Sequence, residues 1–180
     1  MHSVDIFVNN YFSLAQTPVI TKFMFFVTDL FEISVHFIVM ILLVALLVYF
    51  LRGFRHSELF LLSLGAGTII VYFSKFLFNV PRPLGGVVFE STQSFPSYHA
   101  TMATIFFIML MYIFDDYFKN FWRVVFNTFC IIFVFLICLS RLYLGVHWFS
   151  DVFAGVILGS FVSYISIKIF SLYRSKSVLE

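Results

Sequence analysis

Long apolar runs broken by short polar clusters set the pattern of this chain. Crossing a bilayer takes about 20 mostly apolar residues. Four stretches meet that length: Ile33–Leu51, Leu59–Phe78, Phe121–Leu139 and Trp148–Phe170. A fifth, Ala100–Phe114, is shorter and becomes long enough if its helix begins near Pro96-Ser97. No stretch shows the two-residue alternation that would close a strand barrel. The pattern predicts an all-α fold, a polytopic membrane helical bundle with five clear spans.

Residues 4–31 are harder to read, because Asp5, Asn9, Asn10, Gln16 and Lys22 interrupt the apolar positions. Two short helices separated at Thr17-Pro18 fit best, since Pro suits the first helical turn and Thr can cap it. The first reads as an amphipathic helix at the interface. The second reads as partly inserted, which leaves a sixth span open. The chain, residues 1–180, reads as one domain, with an N-terminal segment at 1–31 and a core bundle at 33–171.

Composition agrees and narrows the classes. The 180 residues are 62% hydrophobic and 11% charged, against about 25% charged in soluble domains. The net charge is +2 with scattered basic residues, so no nucleic-acid partner is expected. Cys130 and Cys138 lie inside one apolar run and read as buried packing. The N-terminus lacks the charged start and unbroken apolar core of a cleavable signal peptide. His2 and His56 read as surface residues.

Lys and Arg in short loops set orientation. Arg52, Arg55, Lys119, Arg123, Arg174 and Lys176 all fall on one side of alternating spans, which is therefore predicted to be cytoplasmic. The other side receives three short polar stretches. "KFLFNVPRP" carries Lys75, Arg82 and Pro83; "FPSYHA" carries Ser97, Tyr98 and His99; "SRLYLGVHWFSD" carries Ser140, Arg141, His147 and Asp151. All three lie at outer ends of predicted spans, so one pocket can hold them.

That pocket would hold three cations. Arginine forks match phosphate oxygens, and lysine adds a point charge. Ser97 opens a helix, where free N–H groups favour an anion. One imidazole can attack phosphorus and the other can protonate the leaving oxygen. Asp151 follows His147 by one helical turn and can hold its Nδ1–H. Each residue alone has a plainer reading. Lys75 and Arg82 suit membrane anchors, His99 a helix start, His147 an interfacial belt, Asp151 a helix N-terminal acid and Ser97 an N-cap. Ser140 reads as helix packing or support behind the pocket. Asp29, Glu32 and His36 read first as solvated interface residues, and Glu90 first as a solvated loop residue, with head-group contact as its functional alternative. Gly155-x3-Gly159 fits close helix contact, either inside the bundle or in a homodimer.

Taken together, Lys-x6-Arg-Pro, Pro-Ser-x-His and Ser-Arg-x5-His-x3-Asp resemble the signature of the type 2 phosphatidic acid phosphatase family. Tyr98 departs from it, standing where many relatives have glycine, and a bulkier residue there would narrow the pocket. The motifs cover a little under half of the chain. The resemblance implies a metal-independent lipid phosphate or pyrophosphate phosphatase that works without a cofactor. His147 would be the nucleophile, His99 the general acid and Asp151 the partner of His147. Lys75, Arg82, Ser97 and Arg141 would bind phosphate, with Tyr98, Pro83, Ser140 and Glu90 near substrate or behind the site. The expected partners are the bilayer and a membrane lipid phosphate. The expected location is a bacterial inner membrane, with the site facing the periplasm or exterior. Undecaprenyl pyrophosphate, lipid A, phosphatidylglycerophosphate and phosphatidate are all candidate substrates. A lipid phosphotransferase using the same site is the nearest alternative, and an anion or lipid transporter a more distant one.

Overall fold

The structure is a computed structural model that describes residues 3–32, 34–88, 90 and 92–176, the side chains of 174–176 excepted. Ile33, the expected start of the first clear span, lies outside the described residues, as does His2. Seven helices follow in order: α1 Ser3–Ala15, α2 Pro18–Asp29, α3 Val35–Arg52, α4 Phe54–Phe78, α5 Tyr98–Ile113, α6 Asn120–Tyr143 and α7 Phe149–Lys176. No strand occurs among the described residues. Helices α3, α4, α6 and α7 are long and apolar enough to cross a membrane. Their many exposed Leu, Ile, Val and Phe side chains are what a lipid-facing surface requires.

The N-terminal segment forms the two expected helices. Thr17 caps α2 by accepting from Ile20 N, with Pro18 in the first turn. At 13 and 12 residues, α1 and α2 each reach only about 20 Å, short of the roughly 30 Å apolar core of a bilayer. They pack against α6, and α1 also against α7. Asp5, which only broke the apolar pattern in sequence, is buried. It accepts from Ser150 N at 2.8 Å and from Ser150 Oγ at 3.1 Å. A carboxylate there satisfies free N–H groups at the start of α7 and complements its dipole. Gln16 Nε2 donates to the Tyr143 carbonyl at 2.9 Å, and Thr17 N to Tyr143 Oη at 2.8 Å. The N-terminal segment is thereby tied to the ends of α6 and α7 that carry the third polar stretch.

Helix α5 is the centre of the bundle. Twelve of its 16 residues are buried, and it packs against α4, α6 and α7. Its buried hydroxyls bond within the helix: Thr101 Oγ1 donates to Ser97 O at 2.9 Å and Thr104 Oγ1 to Ala100 O at 2.7 Å. This keeps polar groups satisfied in an apolar core. Gly155 and Gly159 face it. A Cβ on Gly155 would sit 2.9 Å from Ser97 O, and one on Gly159 would sit 2.7 Å from Thr101 O and 2.8 Å from Thr104 Cβ. The glycine pair therefore serves close packing of α7 on α5. Gly159→Leu should destabilise the fold by more than the 1–3 kcal/mol typical of added methylenes in a packed core, because the nearest obstacle is backbone. Thermal unfolding in detergent checks this; an unchanged midpoint would show that the two helices are free to separate.

The expected cytoplasmic end is also assembled as one surface. Arg52 at the end of α3 pairs with Asp116, and Arg123 lies 3.6 Å from Asp115. His56 and Phe170 have ring centroids 5.2 Å apart, which brings the far end of α7 to the same place. A cavity of about 420 Å³ there is lined by residues including Arg52, His56, Asp115, Asp116 and Asn127. The three polar stretches lie at the opposite end.

Candidate active site

Two loops and four helix ends build the site. The loop after α4 carries Arg82, Glu90, Thr92, Gln93 and Ser94; the loop before α7 carries His147. These loops touch through glycines. Gly145 has φ +67°, a conformation that favours glycine, and a Cβ on Gly86 would sit 2.7 Å from Gly145 O. Val87 N donates to Leu144 O at 3.0 Å. This contact carries Arg82 to His147.

Lys75 sits in the last turn of α4, buried, with Nζ donating to the Gln93 carbonyl. Arg82 is held by six acceptors, of which Glu90 is the only charged one. Its Nε donates to Thr92 O at 2.7 Å, and Nη2 to Thr92 Oγ1 at 3.1 Å and Gln93 O at 3.4 Å. Nη1 donates to Val146 O at 2.7 Å and lies 3.1 Å from His147 Nε2. Arg141, in the last turn of α6, is 1% exposed. Its Nη1 donates to Thr28 Oγ1 at 2.6 Å, and its Nη2 pairs with Glu90. Glu90 bridges the two guanidinium groups, with Oε1 on Arg141 and Oε2 on Arg82.

The histidine tautomer follows from donor chemistry. A guanidinium has no acceptor, so His147 Nε2 must offer its lone pair to Arg82. Nδ1 then carries the proton, facing Asp151 Oδ2 at 3.4 Å. Asp151 Oδ2 also accepts from Trp148 N at 2.8 Å and from Ser94 Oγ. Ser94 is fully buried and lies 3.4 Å from His147 Nδ1. Burial, then the positive charges of Arg141, Arg82 and Lys75, hold His147 well below its ordinary 6.5. The imidazole is therefore neutral at neutral pH, with its Nε2 lone pair directed at the cationic cluster.

His99 follows Ser97 at the start of α5. The Ser97 side chain accepts from Ala100 N at 3.4 Å, so it caps the helix. His99 Nε2 lies 3.1 Å from Glu32 Oε2. Contact with His99, with the added pull of Arg141 and Arg82, holds the Glu32 carboxyl below its usual range against the opposing effect of burial. Tyr98 lies between α4 and His99. Its ring packs on Tyr72 of α4 at 5.9 Å and edge-on to His99 at 6.1 Å. Pro83 is buried. Ser140 turns back to its own helix, donating to Ile137 O at 2.7 Å, which makes it a packing residue.

Lys75, Arg82, Arg141, His147 and Asp151 thus come together, joined by Glu90, while His99 stands beside them on α5 with Glu32. Sequence reading missed Ser94, Thr28 and the backbone carbonyls of Thr92 and Gln93. It also read Glu32 as a solvated interface residue, whereas Glu32 reaches a buried histidine. The polar run Thr92-Gln93-Ser94, just before Phe95-Pro96, was the available signal for Ser94.

Comparison with known proteins places this geometry. The chain resembles the crystal structure of the first transmembrane PAP2 type phosphatidylglycerolphosphate phosphatase from Bacillus subtilis, with a TM-score of 0.81 at 23% identity, over 93% of this chain and 84% of the other. It also resembles Aquifex aeolicus LpxE, with a TM-score of 0.73 at 23% identity, over 93% of this chain and 96% of the other. At those identities the likeness is one of fold. An undecaprenyl-diphosphatase of Sulfolobus acidocaldarius is 53% identical over 34 residues, which is 19% of this chain and 16% of that protein. The family profile described as PAP2 superfamily matches residues 58–174, which include Lys75, Arg82, Ser97, His99, Arg141, His147 and Asp151. On that match and that fold, the chain is an integral membrane protein belonging to the PAP2 superfamily.

Proposed function

We propose that this protein is a lipid phosphate or pyrophosphate phosphatase that works through a phosphohistidine on His147. The observation that carries the reading is the orientation of His147: Nδ1 faces Asp151, and the Nε2 lone pair faces the arginine cluster. Glu90 supports it. One carboxylate across two guanidinium groups resembles a phosphate presenting two oxygens to the same forks. An arriving phosphate displaces Glu90, takes the Arg82 N–H from Nε2 and frees the lone pair. Nε2 then attacks phosphorus. The bond to the leaving oxygen breaks, its electron pair stays on that oxygen, and His99 supplies the proton. The phosphorylated ring is cationic, and Asp151 stabilises it through Nδ1–H. Water next attacks phosphorus and gives a proton to His99. The N–P pair returns to Nε2, and inorganic phosphate leaves.

Lys75, Arg82 and Arg141 supply the positive charge that phosphoryl transfer needs, and Ser97 completes the phosphate set. No group of three or more His, Cys, Asp or Glu side chains suited to a metal occurs among the described residues. The reaction is proposed to need no metal. The site is proposed to face the periplasm or exterior of a bacterial inner membrane, with the lipid tail entering between helices. The relatives' names bring phosphatidylglycerophosphate and undecaprenyl diphosphate forward as substrates; lipid A and phosphatidate remain in the same class. Purified protein in detergent with EDTA should release inorganic phosphate from at least one of these four lipids, and the fastest names the task. No release from any of them, with or without an acceptor lipid, would overturn the reading; release of a transferred product only with acceptor would make it a phosphotransferase.

A further inference from the structure

We propose that Glu32 is a positioning residue for leaving-group protonation, holding the His99 imidazole in register with the leaving oxygen. This rests on the phosphatase reading above. Glu32 lies outside residues 58–174, which the family profile matches, so no family motif assigns it.

Three observations carry the proposal. His99 is buried, and its Nε2 lies 3.1 Å from Glu32 Oε2. Glu32 is half exposed, so the charge that it sets against the imidazole costs little to keep. The second observation is that its backbone is fixed. Phe31 is 2% exposed, with ring centroids 5.4 Å from both Phe37 and Phe106 and 6.0 Å from Phe107. Phe31 N donates to Thr28 O at 3.0 Å. The neighbouring residue is thus clamped between α3 and α5, which carries His99. The third is that Thr28, on the same turn, accepts from Arg141. The end of α2 therefore reaches two members of the site, His99 and Arg141. A protonated imidazole has two N–H groups. With Nε2 beside Glu32, the Nδ1–H is left for the leaving oxygen.

The test compares two leaving groups. An alkyl alkoxide, as in phosphatidate, needs a proton as it departs. The phenolate of p-nitrophenyl phosphate departs without one. Glu32→Gln keeps the size and removes the charge. We expect kcat on phosphatidate to fall at least about tenfold more than kcat on p-nitrophenyl phosphate, within the range of general acid catalysis. His99→Ala should show the same differential, and adding Glu32→Gln to it should cost little further, because the two act as a unit. Glu32→Asp, which keeps the charge, should recover part of the alkyl rate and covers the case in which the glutamine variant fails to fold. Equal losses on both substrates, no loss on either, or additive effects in the double variant would overturn the proposal. Wild type inactive on both substrates would instead fault the phosphatase reading itself.

Discussion

His147→Ala should reduce phosphate release by four to six orders of magnitude, on the order of what removal of a nucleophile costs in other covalent enzymes. No neighbour can replace it. Arg82, Arg141 and Lys75 are cations held by acceptors, and His99 is engaged with Glu32. The loss should appear in kcat, because the residues that bind phosphate stay in place. The fold should persist. His147 stands in the loop between α6 and α7, and that loop is held independently by Val87 N to Leu144 O at 3.0 Å and by Trp148 Nε1 to Pro81 O at 2.9 Å. Steady-state assay beside thermal unfolding separates the two effects. A variant within tenfold of wild type would show that His147 does not attack phosphorus.

Asp151→Asn should lower kcat by about three orders of magnitude or more, by analogy with the tautomer-fixing carboxylate of hydrolase triads. An amide can turn an N–H toward Nδ1, which puts the lone pair there and the proton on Nε2. Nε2 then cannot attack. The amide also cannot neutralise the cationic phosphohistidine. The substitution has a structural cost, since Asp151 Oδ2 accepts from Trp148 N at 2.8 Å and from Ser94. Trp148 N and His147 Nδ1 meet the same oxygen, so an amide that turns its N–H toward Nδ1 also gives up the Trp148 bond, and the rate is to be measured beside thermal unfolding. Ser94→Ala removes one support of Asp151 without touching its charge, and should cost far less than Asp151→Asn. A large loss from Ser94→Ala beside a small loss from Asp151→Asn would mean that the hydroxyl, not the carboxylate, governs His147.

What the sequence carried plainly was local. Arg141, His147 and Asp151 lie within eleven positions on one helix end, one loop and one helix start. Fixed spacing on such elements fixes relative position. The four long apolar helices were equally legible, because each needs a long apolar run. Their ends were not. Helix α4 begins at Phe54 and α6 runs on to Tyr143, past the apolar runs at Leu59 and Leu139, because backbone hydrogen bonding continues where hydropathy falls. Contacts between distant segments were invisible for a different reason. Thr28 meets Arg141 across 113 positions, and Asp5 meets Ser150 across 145. Nothing in the local pattern around Asp5 or Thr28 marks the partner. Gly155 and Gly159 show the same limit: small residues announce close approach, and only the fold names α5 as the surface approached.

The phosphohistidine is the most direct test of the whole account. Protein turning over a lipid carrying ³²P in its terminal phosphate should be quenched in alkali within the first turnover, then digested and mapped. The account predicts an acid-labile, alkali-stable label on the peptide that holds His147, absent from His147→Ala. Label on another residue, or full turnover by wild type with no label at any quench time, would contradict it.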